Sequence, residues 1–143
     1  MQHPMTSIAS DGPLTIYNIG APHPRTYGTF ARVLGSYVRE RNILTLEEAI
    51  RKMTSLPASI LSIDKRGLIE EGFFADISIF DPEIIDDKAT FEDPHQYAVG
   101  INHVIVNGVV VVKDGVHNGN KPGRILYGPG YIGDEGVRSK STY

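Results

Sequence analysis

Apolar residues recur with helical spacing in the first half of the chain and alternate with polar residues in the second half. One amphipathic repeat has apolar residues at intervals of three and four: Phe30, Val33, Leu34, Tyr37 and Val38. Such a repeat predicts a helix with a single apolar face. Asn42 follows this run closely and is a suitable residue for ending the helix.

Two shorter helices are predicted next. Thr45 and Glu48 form a capping box, in which the hydroxyl and the carboxylate each accept a hydrogen bond from an otherwise unpaired backbone N–H. The helix that they begin is expected to run through Met53. A second helix is predicted from Ser55 through about Leu61.

The second half of the chain is rich in β-branched residues. Phe73–Phe80 alternates apolar and polar residues and predicts a strand. Ile101–Val106 and Val109–Lys113 flank Asn107-Gly108, the dipeptide that supplies the positive φ angles of a type I′ hairpin turn. A last short strand is expected at Arg124–Tyr127.

The segments between these elements are polar or broken by glycine and proline. Residues 5–28 are expected to form a short strand that ends at Asp11, followed by a loop in which glycine and proline exclude a helix. Residues 83–98 are expected to form a long polar connection. Residues 129–143 are Gly-rich and polar, which predicts a flexible tail.

Size and composition limit the classes of function. A chain of 143 residues can bury the core of one domain but is shorter than a complete (β/α)8 barrel of about 250 residues. A net charge of −3, without any run of Lys or Arg, gives no reason to expect nucleic acid or a membrane surface as partner. Without cysteine there is no disulfide or thiolate ligand. The first residues, 1–4, lack the features of a signal peptide, and we expect a cytoplasmic protein.

Asp11 and Arg25 are the residues best suited to chemistry. Asp11 lies between serine and glycine where a strand is expected to give way to a loop, and a carboxylate there can accept and return a proton. The alternative for Asp11 is a turn in which it caps its own backbone. Arg25 can bind a substrate carboxylate through its planar guanidinium, or it can pair with a helix terminus or solvent.

The histidines carry weaker signals. His23 precedes Pro24 and could contact substrate, bind a metal or serve only the structure. His95 lies near Glu92 and Asp93, and such a group could bind a metal. We expect instead that these residues lie in a solvated loop. No pair of histidines stands at the spacing of metal ligands, and of the carboxylates only Asp11 is a candidate ligand.

Longer motifs resemble a known family. Residues 67–81 and the hairpin after them resemble the closing β-structure of the amidohydrolase superfamily. The narrower likeness, to the N-acyl-D-amino-acid deacylase (D-aminoacylase) family, is carried by four motifs: Ser10–Gly12, His23–Gly35, Thr90–Tyr97 and Pro122–Arg124. It runs from about residue 3 to residue 128 and covers only the C-terminal segment of that family, whose members are several-fold longer.

The resemblance implies an α/β fold made from part of a larger one. Residues 1–66 would be the last strand and helices of a metal-dependent (β/α)8 barrel, and residues 67–128 part of a small β-sandwich. The missing barrel and sandwich strands would then be the partners of this segment. Without them, open sheet edges and apolar faces predict self-association.

The resemblance also implies a reaction. The family hydrolyses the amide bond of N-acyl-D-amino acids to a carboxylate and a D-amino acid, using hydroxide activated by zinc. By position, Asp11 matches the catalytic aspartate and Arg25 the arginine that holds the substrate's α-carboxylate, with His23 beside it. The zinc ligands of the family lie upstream of residue 1, so the isolated segment is expected to be inactive.

Two alternatives remain open on the sequence. The first keeps the amidohydrolase chemistry but changes the substrate, as in a hydantoinase-like or N-acyl-D-glutamate-type enzyme. The apolar stretch Thr15–Ile19 differs from what the family resemblance leads us to expect and bears on substrate preference. The second alternative is a detached, non-catalytic segment that acts in folding or assembly.

Overall fold

The structure, a computed structural model, describes residues 1–132. Its first half is helical. Helix α1 spans Arg25–Arg32 and continues without a break as a π-helical stretch, Val33–Glu40. Helix α2 spans Leu46–Met53 and helix α3 spans Ser55–Ile60. All three helices predicted from the sequence are therefore confirmed.

The loop predicted to reach residue 28 is too long, because α1 begins at Arg25. Pro24 occupies the position before the first helical residue with φ −50°, a value already suited to a helix. The backbone N–H of Arg25 donates to Nδ1 of His23 at 3.0 Å, which satisfies a donor that a helix start otherwise leaves unpaired. The His-Pro-Arg motif thus starts the helix rather than preceding it.

Helix ends follow the predicted residues closely but not completely. Asn42 adopts the left-handed conformation expected after a helix, with φ 52°. The hydroxyl of Thr45 accepts a hydrogen bond from the N–H of Glu48 at 3.2 Å, as predicted. The other half of the capping box is wrong, because the Glu48 carboxylate instead accepts from Arg51 at 2.7 Å. An arginine fork satisfies two carboxylate oxygens at once, which one backbone N–H cannot do.

The second half of the described chain is a four-stranded antiparallel sheet in the order β1-β2-β3-β4. Its strands are β1 (Ile77–Phe80), β2 (Ile101–Val106), β3 (Val109–Lys113) and β4 (Val116–His117). Asn107 and Gly108, between β2 and β3, have φ values of 48° and 79°, which confirms the predicted turn. Helices followed by an antiparallel sheet confirm an α/β composition.

Three strand predictions need correction. The strand predicted over Phe73–Phe80 is shorter and begins at Ile77. No strand precedes Asp11 in residues 1–132, because the N–H of Ile8 donates to the carbonyl of Lys52 in α2 rather than to a neighbouring strand. Arg124–Tyr127 is likewise without strand pairing, and β4 takes the place beside β3 instead. Apolar alternation specifies which face a strand would bury, but a strand also needs a hydrogen-bonding neighbour.

Residues 83–98 form an irregular connection, as predicted, but some of their apolar side chains enter the core. Ile85 is 2% exposed and Ala89 is 6% exposed, and Asp86 bridges to Val99. Residues 83–98 therefore pack on the helices, and we call them the connector. The core cluster joins the connector to the helical half through these buried residues: Ala31, Val33, Leu34, Leu44, Ala49 and Ile85.

Glycine allows the helices and the connector to approach closely. A Cβ at Gly28 would lie 2.6 Å from Cβ of Asp87, and one at Gly35 would lie 2.7 Å from the carbonyl oxygen of Ile85. Real Cβ atoms do not approach so closely, so side chains there would push the connector away. The approach places the connector against the helix that carries Arg25.

Within residues 1–132, no helix combines the length and apolar character needed to cross a bilayer. The predicted flexible tail, residues 129–143, lies mostly outside the described residues. Its first part forms a turn, in which the rings of Tyr127 and Tyr131 stack with centroids 3.8 Å apart.

Candidate functional site

The structure brings Asp11 and Arg25 together. Nη2 of Arg25 lies 3.1 Å from Oδ2 of Asp11, and the two side chains are 43% and 84% exposed. Both candidate residues therefore face solvent at one place, where a small molecule can reach them. The loop between them, residues 12–24, is closed at its base by this ion pair.

The backbone around Asp11 turns sharply to present its side chain. Asp11 has φ 48°, in the left-handed region that aspartate tolerates better than most residues. Gly12 follows at a close approach, since a Cβ there would lie 3.0 Å from Cα of Thr26. The turn is supported by Ser10, whose hydroxyl accepts from the N–H of Gly12 at 3.4 Å. The carboxylate of Asp11 is thus left to interact with Arg25.

A groove of about 600 Å³ opens beside this pair, between α1 and the connector. Its walls include His23 and Arg25 from the start of α1 and Phe91 from the connector. The rings of His23 and Phe91 meet edge to face with centroids 4.9 Å apart. The lining combines apolar side chains with the cation of Arg25 and the carboxylates of Asp87 and Glu92, and polar groups of this kind can orient a small organic ligand.

A second arginine lines the same groove and was missed from the sequence. Nη1 of Arg32 lies 3.0 Å from Oδ2 of Asp87, whose side chain is only 10% exposed. The hydrogen bond from Arg32 to this carboxylate raises the pKa of Arg32 further above its ordinary value. The helical spacing could have identified this residue, because Arg32 follows Arg25 by two turns of the helix and therefore lies on the same face.

One ring nitrogen of His23 supports the start of α1, and the other faces no partner within the described residues. Its Nδ1 accepts the N–H of Arg25, so this atom is committed to the start of α1. Among the hydrogen bonds of residues 1–132, none uses its Nε2, and His23 lines the groove. Nε2 is therefore the atom of His23 that a ligand in the groove can contact.

His95 lies in a loop, as expected, but the solvent reaches only part of its side chain. Its side chain is half-buried, and its ring nitrogens contact the backbone of the 12–24 loop at Asn18 and Gly20. The sequence signal was ambiguous because these partners are more than seventy residues away in the chain. His95 is a link between the connector and the loop that precedes Arg25.

The described side chains do not form a zinc site by themselves. Across residues 1–132, no group of three or more His, Asp or Glu side chains is arranged to hold a metal ion, and the sequence has no cysteine. Zinc in protein sites takes at least three protein ligands. Asp11 could contribute one carboxylate, but zinc would require further ligands from outside this chain.

A profile of the amidohydrolase family matches residues 1–112, which span the candidate site, the helices and most of the sheet. The chain belongs to the amidohydrolase family. Membership agrees with the likeness carried by residues 67–81 and by the Ser-Asp-Gly and His-Pro-Arg motifs.

Relatives with known activities extend over most of the chain. It is 44% identical over 125 residues to an N-acyl-D-glutamate deacylase of Alcaligenes xylosoxydans xylosoxydans, covering 87% of this chain and 25% of the relative. A crystal structure of a D-aminoacylase is similar with TM-score 0.73 and 45% identity, covering 74% of this chain and 22% of that one.

A third relative was solved with ligands. It is the N-acyl-D-glutamate deacylase of Bordetella bronchiseptica, complexed with zinc and a phosphonate inhibitor that mimics the tetrahedral intermediate. The TM-score is 0.72 at 46% identity, over 77% of this chain and 23% of the other. The chain thus spans about a quarter of the length of the relatives that it matches.

Proposed function

We propose that this chain forms the C-terminal part of a zinc-dependent deacylase of N-acyl-D-amino acids. The observation that carries the proposal is the exposed Asp11–Arg25 pair, whose arginine lines the groove beside α1. Identity of 44–46% to deacylases of this class over most of the chain supports the same activity. We call the protein that joins this chain to the missing strands and zinc ligands the complete deacylase.

Asp11 is proposed as the catalytic proton carrier. Hydrolysis forms a bond between a water oxygen and the amide carbon and breaks the bond from that carbon to nitrogen. The proton lost by water passes to the Asp11 carboxylate and then to the departing amine, giving a carboxylate and a free D-amino acid. An exposed carboxylate on a sharply turned backbone can reach both the water and the nitrogen.

Arg25 is proposed to bind the α-carboxylate of the substrate. Its guanidinium has five N–H donors in one plane, more than Asp11 can use, so it can hold a second carboxylate alongside the first. His23 lies at the same end of the groove and can contact the substrate through Nε2. This arrangement would place the scissile amide, one carbon from the α-carboxylate, close to Asp11.

Zinc is proposed as the cofactor of the complete deacylase. The zinc complex of the Bordetella bronchiseptica relative supports this proposal. Since the described residues do not form a metal site, the ligands would come mainly from other parts of the protein. Among the described residues, Asp11 is the side chain that we propose to lie beside the metal.

We further propose that the segment is divided as the family resemblance implies. Residues 1–66 would complete a metal-dependent (β/α)8 barrel, residues 67–128 would form part of a small β-sandwich, and residues 129–143 would be a tail. The change from helices to an antiparallel sheet near residue 77 supports this division. A strand ending near Asp11 would then form only beside its barrel neighbours.

An assay of enantiomeric substrates tests the proposed function. The complete deacylase, loaded with zinc, is expected to release amine from N-acetyl-D-amino acids and not from their L-enantiomers. The isolated 143-residue chain with added zinc is expected to be inactive, because one carboxylate cannot hold the metal. Turnover by the isolated chain at the rate of the complete deacylase would refute the division of the site between segments.

A further inference from the structure

Four rings join the 12–24 loop to α1 and to the connector. We call this group the loop clamp, and its members are Tyr17, Tyr27, His95 and Tyr97. The rings of Tyr17 and Tyr97 stack with centroids 5.1 Å apart and an angle of 6° between their planes. Tyr27 meets both of these rings edge to face. Aromatic pairs of this geometry contribute about 0.5–1.5 kcal/mol each beyond their burial.

His95 makes the polar contacts of the loop clamp with both ring nitrogens. Its Nδ1 lies 3.2 Å from the backbone N of Asn18 and 2.9 Å from the hydroxyl of Tyr27. Its Nε2 lies 3.0 Å from the carbonyl oxygen of Gly20. One half-buried side chain thus contacts two points of the loop and one point of α1.

These partners determine which nitrogen of His95 carries the proton. The carbonyl of Gly20 can only accept, so Nε2 must donate to it. The N–H of Asn18 can only donate, so Nδ1 must accept from it. His95 therefore carries its proton at Nε2, and the N–H of Asn18 and the hydroxyl of Tyr27 share the single lone pair of Nδ1. The hydroxyl of Thr15, 3.4 Å from that of Tyr27, donates in turn to the tyrosine oxygen.

The loop clamp is close in the chain to both candidate site residues. The loop that His95 holds begins directly after Asp11 and ends at Arg25, and Tyr27 lies in the first turn of α1, two residues beyond Arg25. Without these contacts the loop would keep the ring contact of His23 with Phe91 and the exposed ion pair at its base, which contributes about 0–1 kcal/mol. The orientation of Arg25 therefore depends in part on contacts made through His95.

We propose that His95, as its Nε2-protonated tautomer, is a positioning residue that orients Arg25 by holding the 12–24 loop against α1. This role rests on the proposed function of Arg25 in binding the substrate carboxylate. Since His95 reaches no reacting atom, its removal affects how firmly the carboxylate is held and leaves the proton transfer by Asp11 in place.

A spectroscopic test uses the isolated chain and requires neither zinc nor turnover. Ring nitrogen shifts in a ¹⁵N-labelled sample are expected to show His95 in the Nε2-protonated form. The amide of Asn18 is expected to exchange slowly with solvent and to lose its protection in His95→Phe, which keeps a ring but removes both hydrogen-bonding nitrogens. An Nδ1-protonated ring, or equal exchange in the two proteins, would overturn the proposed contacts.

A kinetic test measures the consequence at the site. In the complete deacylase, His95→Phe is expected to raise KM for N-acetyl-D-amino acids about tenfold, since a loss of 1.4 kcal/mol is a factor of ten. The kcat is expected to stay within about twofold of wild type. His95→Gln supplies an amide donor and a carbonyl acceptor and is expected to recover part of the KM. His117→Phe, at an exposed histidine of β4, is the matched control.

The outcomes separate this proposal from the function on which it rests. A wild-type protein that does not hydrolyse N-acetyl-D-amino acids refutes the proposed function. If the wild-type protein hydrolyses them but His95→Phe lowers kcat and leaves KM unchanged, only the positioning role is refuted. Equal KM values for His95→Gln and His95→Phe would show that the hydrogen bonds do not matter, and would refute it too.

Discussion

The guanidinium of Arg25 lies 3.1 Å from the carboxylate of Asp11, so the candidate anion binder is paired with the candidate proton carrier. Both side chains are well exposed, and an exposed ion pair of this kind contributes only about 0–1 kcal/mol. A substrate carboxylate can therefore compete for the guanidinium at little cost. The ion pair orients both side chains and leaves both accessible to a substrate.

Replacing Arg25 is expected to affect substrates according to their charge. Arg25→Ala in the complete deacylase should lower kcat/KM about 10- to 100-fold for N-acetyl-D-amino acids, since hydrogen bonds to charged groups contribute about 1.5–3 kcal/mol. The corresponding α-carboxamides, which lack the charge, should change much less. Steady-state kinetics on both substrates measures the difference.

Arg124→Ala is the control for that comparison, because Arg124 is an exposed arginine that does not line the groove. An equal loss for the acid and the carboxamide in Arg25→Ala would contradict carboxylate recognition. It would favour a hydantoinase-like reaction, in which no free α-carboxylate is bound.

The stability of the chain is expected to fall in acid through Glu48. The hydrogen bond from Arg51 holds the pKa of this carboxyl at about 2, well below its ordinary 4.5. Because the folded value is depressed, the stabilisation is complete above about pH 4.5 and is lost as the pH falls towards 2. Thermal unfolding between pH 7 and pH 2 measures the effect.

Glu48→Gln should flatten that part of the pH dependence, since it has no proton to bind. Glu47→Gln, at an exposed neighbour in the first turn of α2, should leave the dependence unchanged. If wild type and Glu48→Gln lose stability in parallel between pH 4.5 and pH 2, the ion pair is not the cause.

The buried Lys52 is expected to hold the first residues of the chain on α2. Its side chain is fully buried, and its Nζ donates to the carbonyl oxygens of His3 and Thr6 and lies 3.3 Å from Glu48. Lys52→Met keeps the apolar stem but leaves these acceptors without their donor. We expect a loss of about 1–3 kcal/mol in the free energy of unfolding.

Urea denaturation of Lys52→Met measures that loss, with Lys121→Met at an exposed position as the control. A change below about 0.5 kcal/mol, the range typical of surface substitutions, would contradict the role of Lys52. Faster proteolysis within residues 1–8 should accompany the loss, because the side-chain contacts to His3 and Thr6 disappear and only the bond from the N–H of Ile8 to the backbone carbonyl of Lys52 remains.

The isolated chain is expected to self-associate. The sheet has open edges at β1 and β4, and Val116 on β4 is 68% exposed. Unpaired strand edges with apolar side chains pair readily with other chains. Sedimentation velocity should show species larger than one chain, and Val116→Lys should reduce them more than Leu14→Lys, which changes an exposed loop residue. A stable, monodisperse monomer would contradict the expectation.

Local signals in the sequence predicted the elements that need only near neighbours. The stripe that contains Val33 and Leu34 became a helix, Thr45 capped the next one, and Asn107-Gly108 formed its turn. Each of these depends on residues within a few positions. The strand expected before Asp11 depends on partners far away, and in their absence its backbone pairs with α2.

For the same reason, the sequence predicted only some of the residues of the candidate site. Asp11 and Arg25 stand out through motifs, but nothing near His95 in the sequence indicates that it contacts Asn18 and Gly20. Asp87 likewise meets Arg32 only because Gly28 lets the connector approach the helix. Contacts between distant segments depend on packing, which periodicity does not reveal.

The kcat of Asp11→Asn tests the central claim most directly. The substitution keeps the size and hydrogen-bonding shape of the side chain but removes its ability to accept a proton. With zinc content matched to wild type, the complete deacylase bearing Asp11→Asn is expected to lose about 10²- to 10⁴-fold in kcat on N-acetyl-D-amino acids. A kcat within a few-fold of wild type would contradict Asp11 as the proton carrier of this site.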